Sequence, residues 1–91
     1  MSVLSVERVQ DKLKSLPEWK LENKEIVRVF TFPDFAAAMQ FVNAVAKMAE
    51  TAGHHPDIDI RYNKVKLALT SHDSGGLTER DLTMAEGLSS L

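Results

Sequence analysis

Apolar and polar residues alternate along this chain with two periods, and the changes of period divide it into helices and strands. Val6, Val9, Leu13 and Leu16 recur at spacings of three and four, which predicts a helix capped by Ser5 and stopped by Pro17. Trp19-Lys20-Leu21-Glu22 alternates and predicts a strand, with a turn at Asn23-Lys24. Ile26 to Phe32 is β-branched and aromatic, with Ile26, Arg28, Phe30 and Phe32 on one face and Val27, Val29 and Thr31 on the other. These two strands are expected to form a hairpin.

Pro33 to Ala52 reads as the longest helix, starting near Thr31 or Phe32, with Pro33 in the first helical position and Asp34 at the positive end of the dipole. Phe35, Met39, Val42, Ala46 and Ala49 form one apolar row, and Phe41, Val45, Met48 and Ala52 a second. Gln40, Asn43, Lys47 and Glu50 supply a polar stripe. So apolar a helix has two surfaces to cover, one against a sheet and one against another helix or subunit. Gly53 suits a left-handed C-terminal cap.

A second hairpin follows, in which Ile58, Ile60 and Tyr62 alternate with Asp57, Asp59 and Arg61, and Val65, Leu67 and Leu69 with Lys64, Lys66 and Ala68. A turn at Asn63-Lys64 would pair Tyr62 with Val65, Ile60 with Leu67 and Ile58 with Leu69, setting Arg61 against Lys66. Ser71 to Gly76 is a loop, and Thr78 caps a last helix with Asp81 in capping-box position and Leu82, Ala85 and Leu88 as its stripe. The order α-β-β-α-β-β-α is that of a two-layer α+β fold.

At 91 residues and 10.1 kDa the chain is expected to be a single domain spanning residues 1–91. It buries roughly 60–65% of the surface exposed when unfolded, so subunit contacts would supplement its core. Cysteine is absent, which removes disulfides and thiolate metal sites. A formal charge of −2 with dispersed basic residues argues against direct nucleic-acid binding. No apolar run approaches the ~20 residues of a membrane span. The opening Met1-Ser2-Val3-Leu4-Ser5 has no basic segment leading into a long apolar one, so a cytoplasmic location is expected.

All three histidines fall between positions 54 and 72. Together with Glu50, Pro56, Tyr62, Asp73 and Asp81 they form the candidate chemistry. Imidazoles give and take protons near neutral pH, so two or three can supply an acid and a base to one substrate. Glu50, in the last turn of its helix, is mildly disfavoured by the dipole; it pairs with Lys47 or hydrogen-bonds a histidine ring. Each residue also has a plainer reading. His54-His55-Pro56 can be a solvated loop, Asp81 a helix cap, Tyr62 a cross-strand packing residue, and Arg61 and Lys66 a solvated strand face. Three histidines could hold zinc in a metal-dependent hydrolase, but the side chains of adjacent His54 and His55 diverge, and no metal is assigned. Gly75-Gly76 lacks the setting of a nucleotide-binding loop.

Glu50-x-x-x-His54-His55-Pro56, Tyr62, Ser71-His72-Asp73, Gly75-Gly76-Leu77-Thr78 and Asp81 together resemble the signature of the pterin-4a-carbinolamine dehydratases. The resemblance extends through Trp19, Ile26, Arg28, Phe30, Phe32, Phe35, Phe41 and Ala49 and covers nearly the whole chain. Asp57-Ile58 replaces an aromatic residue often found after His-His-Pro, and Ser71 stands where threonine is common. The resemblance implies a four-stranded antiparallel sheet with helices on one face. It also implies a homodimer or homotetramer built through sheet edges and long helices. The implied reaction is dehydration of 4a-hydroxytetrahydropterin to quinonoid dihydropterin, which recycles tetrahydrobiopterin for an aromatic amino acid hydroxylase and needs no cofactor. His54, His55 and His72 become the catalytic set, with His54 and His72 as the proton-transfer pair and His55 holding the pterin. Glu50, Pro56, Asp73 and Asp81 bind or orient. The alternative is a dimerisation or assembly cofactor, as some relatives are, for which three imidazoles serve no physical need.

Overall fold

Ser5 starts the first helix of the computed structural model, which describes residues 2–91. Its hydroxyl accepts from the Arg8 N–H at 3.1 Å, giving a free amide at the N-terminus of α1 (Val6–Leu13) a partner. The helix ends before Pro17. The amides of Lys14, Ser15 and Leu16 bond back three residues, to Asp11, Lys12 and Leu13, tightening the chain so that Leu16 still reaches the core.

Strands β1 (Lys20–Glu22) and β2 (Glu25–Thr31) form the expected hairpin, pairing Lys20 with Val27, Leu21 with Ile26 and Glu22 with Glu25. Its two-residue turn places Asn23 at φ 57°, a conformation asparagine tolerates better than most residues.

Helix α2 runs Phe35–Ala52, two residues later than the sequence suggests. Pro33 and Asp34 stand outside it, because the Asp34 carboxylate accepts from the Ala37 N–H at 2.8 Å and so acts as the cap. Its buried positions, Ala38, Phe41, Val45 and Ala49, cut across the two expected rows. Phe35 stays exposed on another face. Gly53 closes the helix at φ 65°, bonding its N–H to the Ala49 carbonyl.

The second hairpin, β3 (Asp57–Arg61) and β4 (Lys64–Leu69), departs from the expected register. Ile60 pairs with Val65, Ile58 with Leu67, Asp59 with Lys66 and Arg61 with Lys64, so the turn is Tyr62-Asn63. The cause lies outside the hairpin. Asn63 accepts from the Phe32 N–H at 2.9 Å and donates its side-chain amide to the Phe32 carbonyl at 2.8 Å, pinning the turn to the end of β2. Each partner moves by two residues, so Ile58 and Ile60 keep their face. Tyr62, however, leaves the strand for the turn, at φ 53° and 66% exposed, and is no cross-strand packing residue. Lys66 meets a carboxylate in place of the expected Arg61.

The sheet order is β1-β2-β4-β3, antiparallel throughout. The central strands supply Ile26, Phe30, Val65, Leu67 and Leu69 to the face covered by the three helices, the third being α3 (Glu79–Ser89). Phe30 and Phe41 stack at 4.6 Å between sheet and α2. Buried Trp19 meets Phe30 edge-on and donates its indole N–H to the Ser89 hydroxyl at 2.9 Å, tying the end of α3 to the start of β1. Arg28 lies 4.1 Å over the Phe30 ring and also donates to Ser89. β1 and β3 are the two edges of the sheet, and all five residues of β3 are exposed. Among the described residues, no helix is long and apolar enough to cross a membrane.

Candidate functional site

The site grows from the first turn of α3. Thr78 is the N-cap, and its backbone N–H donates to Asp81 Oδ2 at 2.9 Å, the capping contact the sequence suggests. A cap is normally at the surface, yet Asp81 is 0% exposed. A carboxylate there needs further donors, since an unsatisfied buried charge is costly. Ser71 Oγ donates to Oδ2 at 2.9 Å and lies 2.9 Å from Thr78 Oγ1. The other carboxylate oxygen, Oδ1, lies 2.6 Å from His54 Nε2.

Local backbone geometry brings these groups together. The left-handed Gly53 turns the chain off α2, the His54 N–H bonds to the Ala49 carbonyl at 3.2 Å, and the ring is carried to the N-terminus of α3. Ser71 follows β4 and bridges Gly76 in both directions, at 3.2 and 3.3 Å. Between them His72–Ser74 makes one tight turn, closed by Gly75 at φ 82°. Ser71 is thereby fixed beneath α3, and His72 projects from the turn.

His55 and Glu50 form a separate pair. His55 Nε2 lies 2.5 Å from Glu50 Oε2 across the Gly53 cap, with side chains 61% and 76% exposed. Glu50 thus meets a histidine, but the exposed His55 and not the buried His54. Pro56 follows, half-buried at the entry to β3. Asp73 accepts from Arg80 Nη2 at 2.8 Å. Partial desolvation pushes its carboxyl up, but the hydrogen bond and charge of Arg80 outweigh this and hold it below the ordinary carboxylate value.

His54 lines a largely apolar cleft of about 340 Å³ with Met48, Met84, Thr83 and Arg80. His72 lines a different cleft, of about 450 Å³, whose wall includes Asn23 and Lys24 of the first hairpin turn. His72 follows Ser71 in sequence, the residue that donates to Asp81 in the network holding His54. Ser71 carries a buried contact to Asp81 that the sequence does not assign. The Thr-x-x-Asp spacing flags the cap, but nothing in the sequence places Ser71 or His54 against it. Among the described residues, no three His, Asp or Glu side chains gather into a set that could hold a metal ion.

Comparison with known proteins bears on this arrangement. The family model described as pterin 4 alpha carbinolamine dehydratase matches residues 2–91. A protein of Acidobacterium capsulatum with the provisional name pterin-4-alpha-carbinolamine dehydratase is 58% identical, over 100% of this chain and 99% of its own length. A Chloroflexus aurantiacus protein of the same provisional name is 56% identical, over 97% of this chain and 95% of its own. The solved structure of a transcriptional coactivator/pterin dehydratase from Brucella melitensis superimposes with a TM-score of 0.93 at 32% identity, covering 98% of this chain and 97% of that one. A pterin dehydratase-like RuBisCO assembly factor of the alpha-carboxysome shares the fold, with a TM-score of 0.65 at 22% identity over 79% of this chain and 83% of that one.

Proposed function

The chain belongs to the pterin 4 alpha carbinolamine dehydratase family, and we propose that it dehydrates a 4a-hydroxytetrahydropterin to the quinonoid dihydropterin, as part of tetrahydrobiopterin recycling. The observation that carries this reading is His54 held by a buried carboxylate at the edge of a cleft, within a chain matched to the family over residues 2–91.

In the reaction the C4a–O bond breaks as the N5 electron pair closes a C4a=N5 double bond. The oxygen takes up a proton and leaves as water, and N5 loses its proton, with no net oxidation. His54 and His72 are the proton-transfer pair, His55 holds the pterin, and Glu50 orients His55. Asp81 orients His54, and Asp73 fixes Arg80 beside the cleft. Pro56 sets the direction in which the chain leaves His55. Positioned proton transfer is worth roughly 10²–10⁴-fold. The protein acts in the cytoplasm as a homodimer or homotetramer.

The test supplies 4a-hydroxytetrahydropterin and follows quinonoid dihydropterin by absorbance. The expected result is acceleration well above that of free imidazole at equal concentration, reduced on His54→Ala and on His72→Ala. A wild-type rate no greater than imidazole's overturns the dehydratase reading.

A further inference from the structure

We infer that the buried hydroxyls of Ser71 and Thr78 fix the tautomer of His54, so that its working nitrogen is Nδ1. The argument is an accounting of protons around Asp81. The Thr78 backbone N–H, 2.9 Å from Oδ2, can only donate. Ser71 Oγ has one proton and donates it to the same oxygen at 2.9 Å. Ser71 Oγ can then only accept from Thr78 Oγ1, so the hydroxyl protons run in one direction, from Thr78 through Ser71 to Asp81.

Two donors occupy Oδ2 and leave Oδ1 as the acceptor facing His54. A carboxylic acid ordinarily yields its proton to an imidazole. The proton in the 2.6 Å contact therefore sits on His54 Nε2, and in the neutral ring Nδ1 is bare. Among the described residues, the buried side-chain nitrogens and oxygens without a partner are Arg28 Nε and Arg80 Nε. His54 Nδ1 is not one of them and bonds no group of the described residues, so it is open to a molecule entering the cleft.

The catalytic consequence rests on the dehydratase reading. As the C4a–O bond breaks and the oxygen leaves as water, the N5 electron pair closes C4a=N5; the N5–H bond then breaks, its electron pair stays on N5 as the lone pair, and the proton passes to Nδ1. The imidazolium so formed faces the Asp81 carboxylate. Ser71 and Thr78 touch no reacting atom and are positioning residues.

The test begins with ¹⁵N NMR of the unmodified chain, its histidines labelled, at a pH where His54 is neutral. Nε2 is expected to carry the proton and Nδ1 to be bare. The reverse assignment overturns the inference whether or not the chain dehydrates pterins. Ser71→Ala is then expected to mix the tautomers and to lower kcat about tenfold with KM unchanged. Ser71→Thr, which keeps the hydroxyl, restores both. Where Ser71→Ala does not fold, Thr78→Val keeps the backbone donor and the shape, and is expected to change the same readouts in the same direction. A folded variant with wild-type tautomer and kcat overturns the hydroxyl relay.

Discussion

His54 and Asp81 stand 27 residues apart in sequence and 2.6 Å apart in space, both buried, one at the end of a helix and the other in the first turn of the next. The contact joins the Gly53 cap, the loop after β4 and the start of α3 into one unit, so its loss affects stability and chemistry together. In Asp81→Asn, the amide can accept on one side only. Either His54 Nε2 or the Ser71 and Thr78 donors then face an NH₂ group. The expected cost is about 1–3 kcal/mol in chemical denaturation. The dehydration rate is expected to fall roughly 10²–10⁴-fold in protein that remains folded.

Gly53 is at φ 65° with nothing within 4 Å of an added Cβ, so a side chain there meets backbone strain and no clash. Gly53→Ala is expected to cost about 1 kcal/mol, and Gly53→Asn less, because asparagine adopts this conformation more readily. Equal losses for the two variants in thermal or denaturant unfolding contradict this account.

The Glu50–His55 contact is short but exposed, and water screens it. Glu50→Gln is expected to change stability by less than about 1 kcal/mol. If Glu50 orients His55 on the pterin, the same variant raises KM and leaves the denaturation midpoint in place. A stability loss without a change in KM assigns Glu50 a structural role instead.

Asp73 titrates below the ordinary carboxylate value because of Arg80. In an NMR titration its midpoint is expected to rise on Arg80→Gln. A carboxyl lowered in the folded state contributes stability above its unfolded value and loses it as pH falls through the folded one. With Asp73 largely exposed, that contribution is small, and no unfolding transition is expected to track its protonation.

Ile58 and Ile60 are each 37% exposed on the outer strand β3. An exposed edge bearing isoleucines is a ready template for pairing with a second copy. Light scattering is expected to give a dimer or tetramer mass. Ile58→Lys with Ile60→Lys is expected to lower that mass while circular dichroism stays unchanged. A monomeric wild-type chain contradicts the assembly.

The element order was legible because each segment carries its own period, and the caps at Ser5, Gly53 and Thr78 were legible because capping is local in sequence. The hairpin register was not. Alternation allows any even shift, and Asn63 chooses between them through Phe32, 31 residues away. The buried face of α2 was blurred for a related reason: with apolar residues on most of its surface, only the sheet decides which row is covered. At the site, spacing exposed Asp81 as a cap, but its second oxygen faces a residue brought close only by the fold. Ser71 looked like a minor departure from a family pattern and is instead a donor at the centre of the network.

Trp19 is the chain's single tryptophan. Its indole is clasped to Ser89, at the opposite end of α3 from Asp81. The molecule therefore carries a built-in optical gauge of whether that helix is seated. An emission shift that precedes global unfolding reports α3 lifting from the sheet, and the turn that secures His54 lifts with it. A drop in activity can then be sorted, without any added label, into a loosened helix or an altered imidazole.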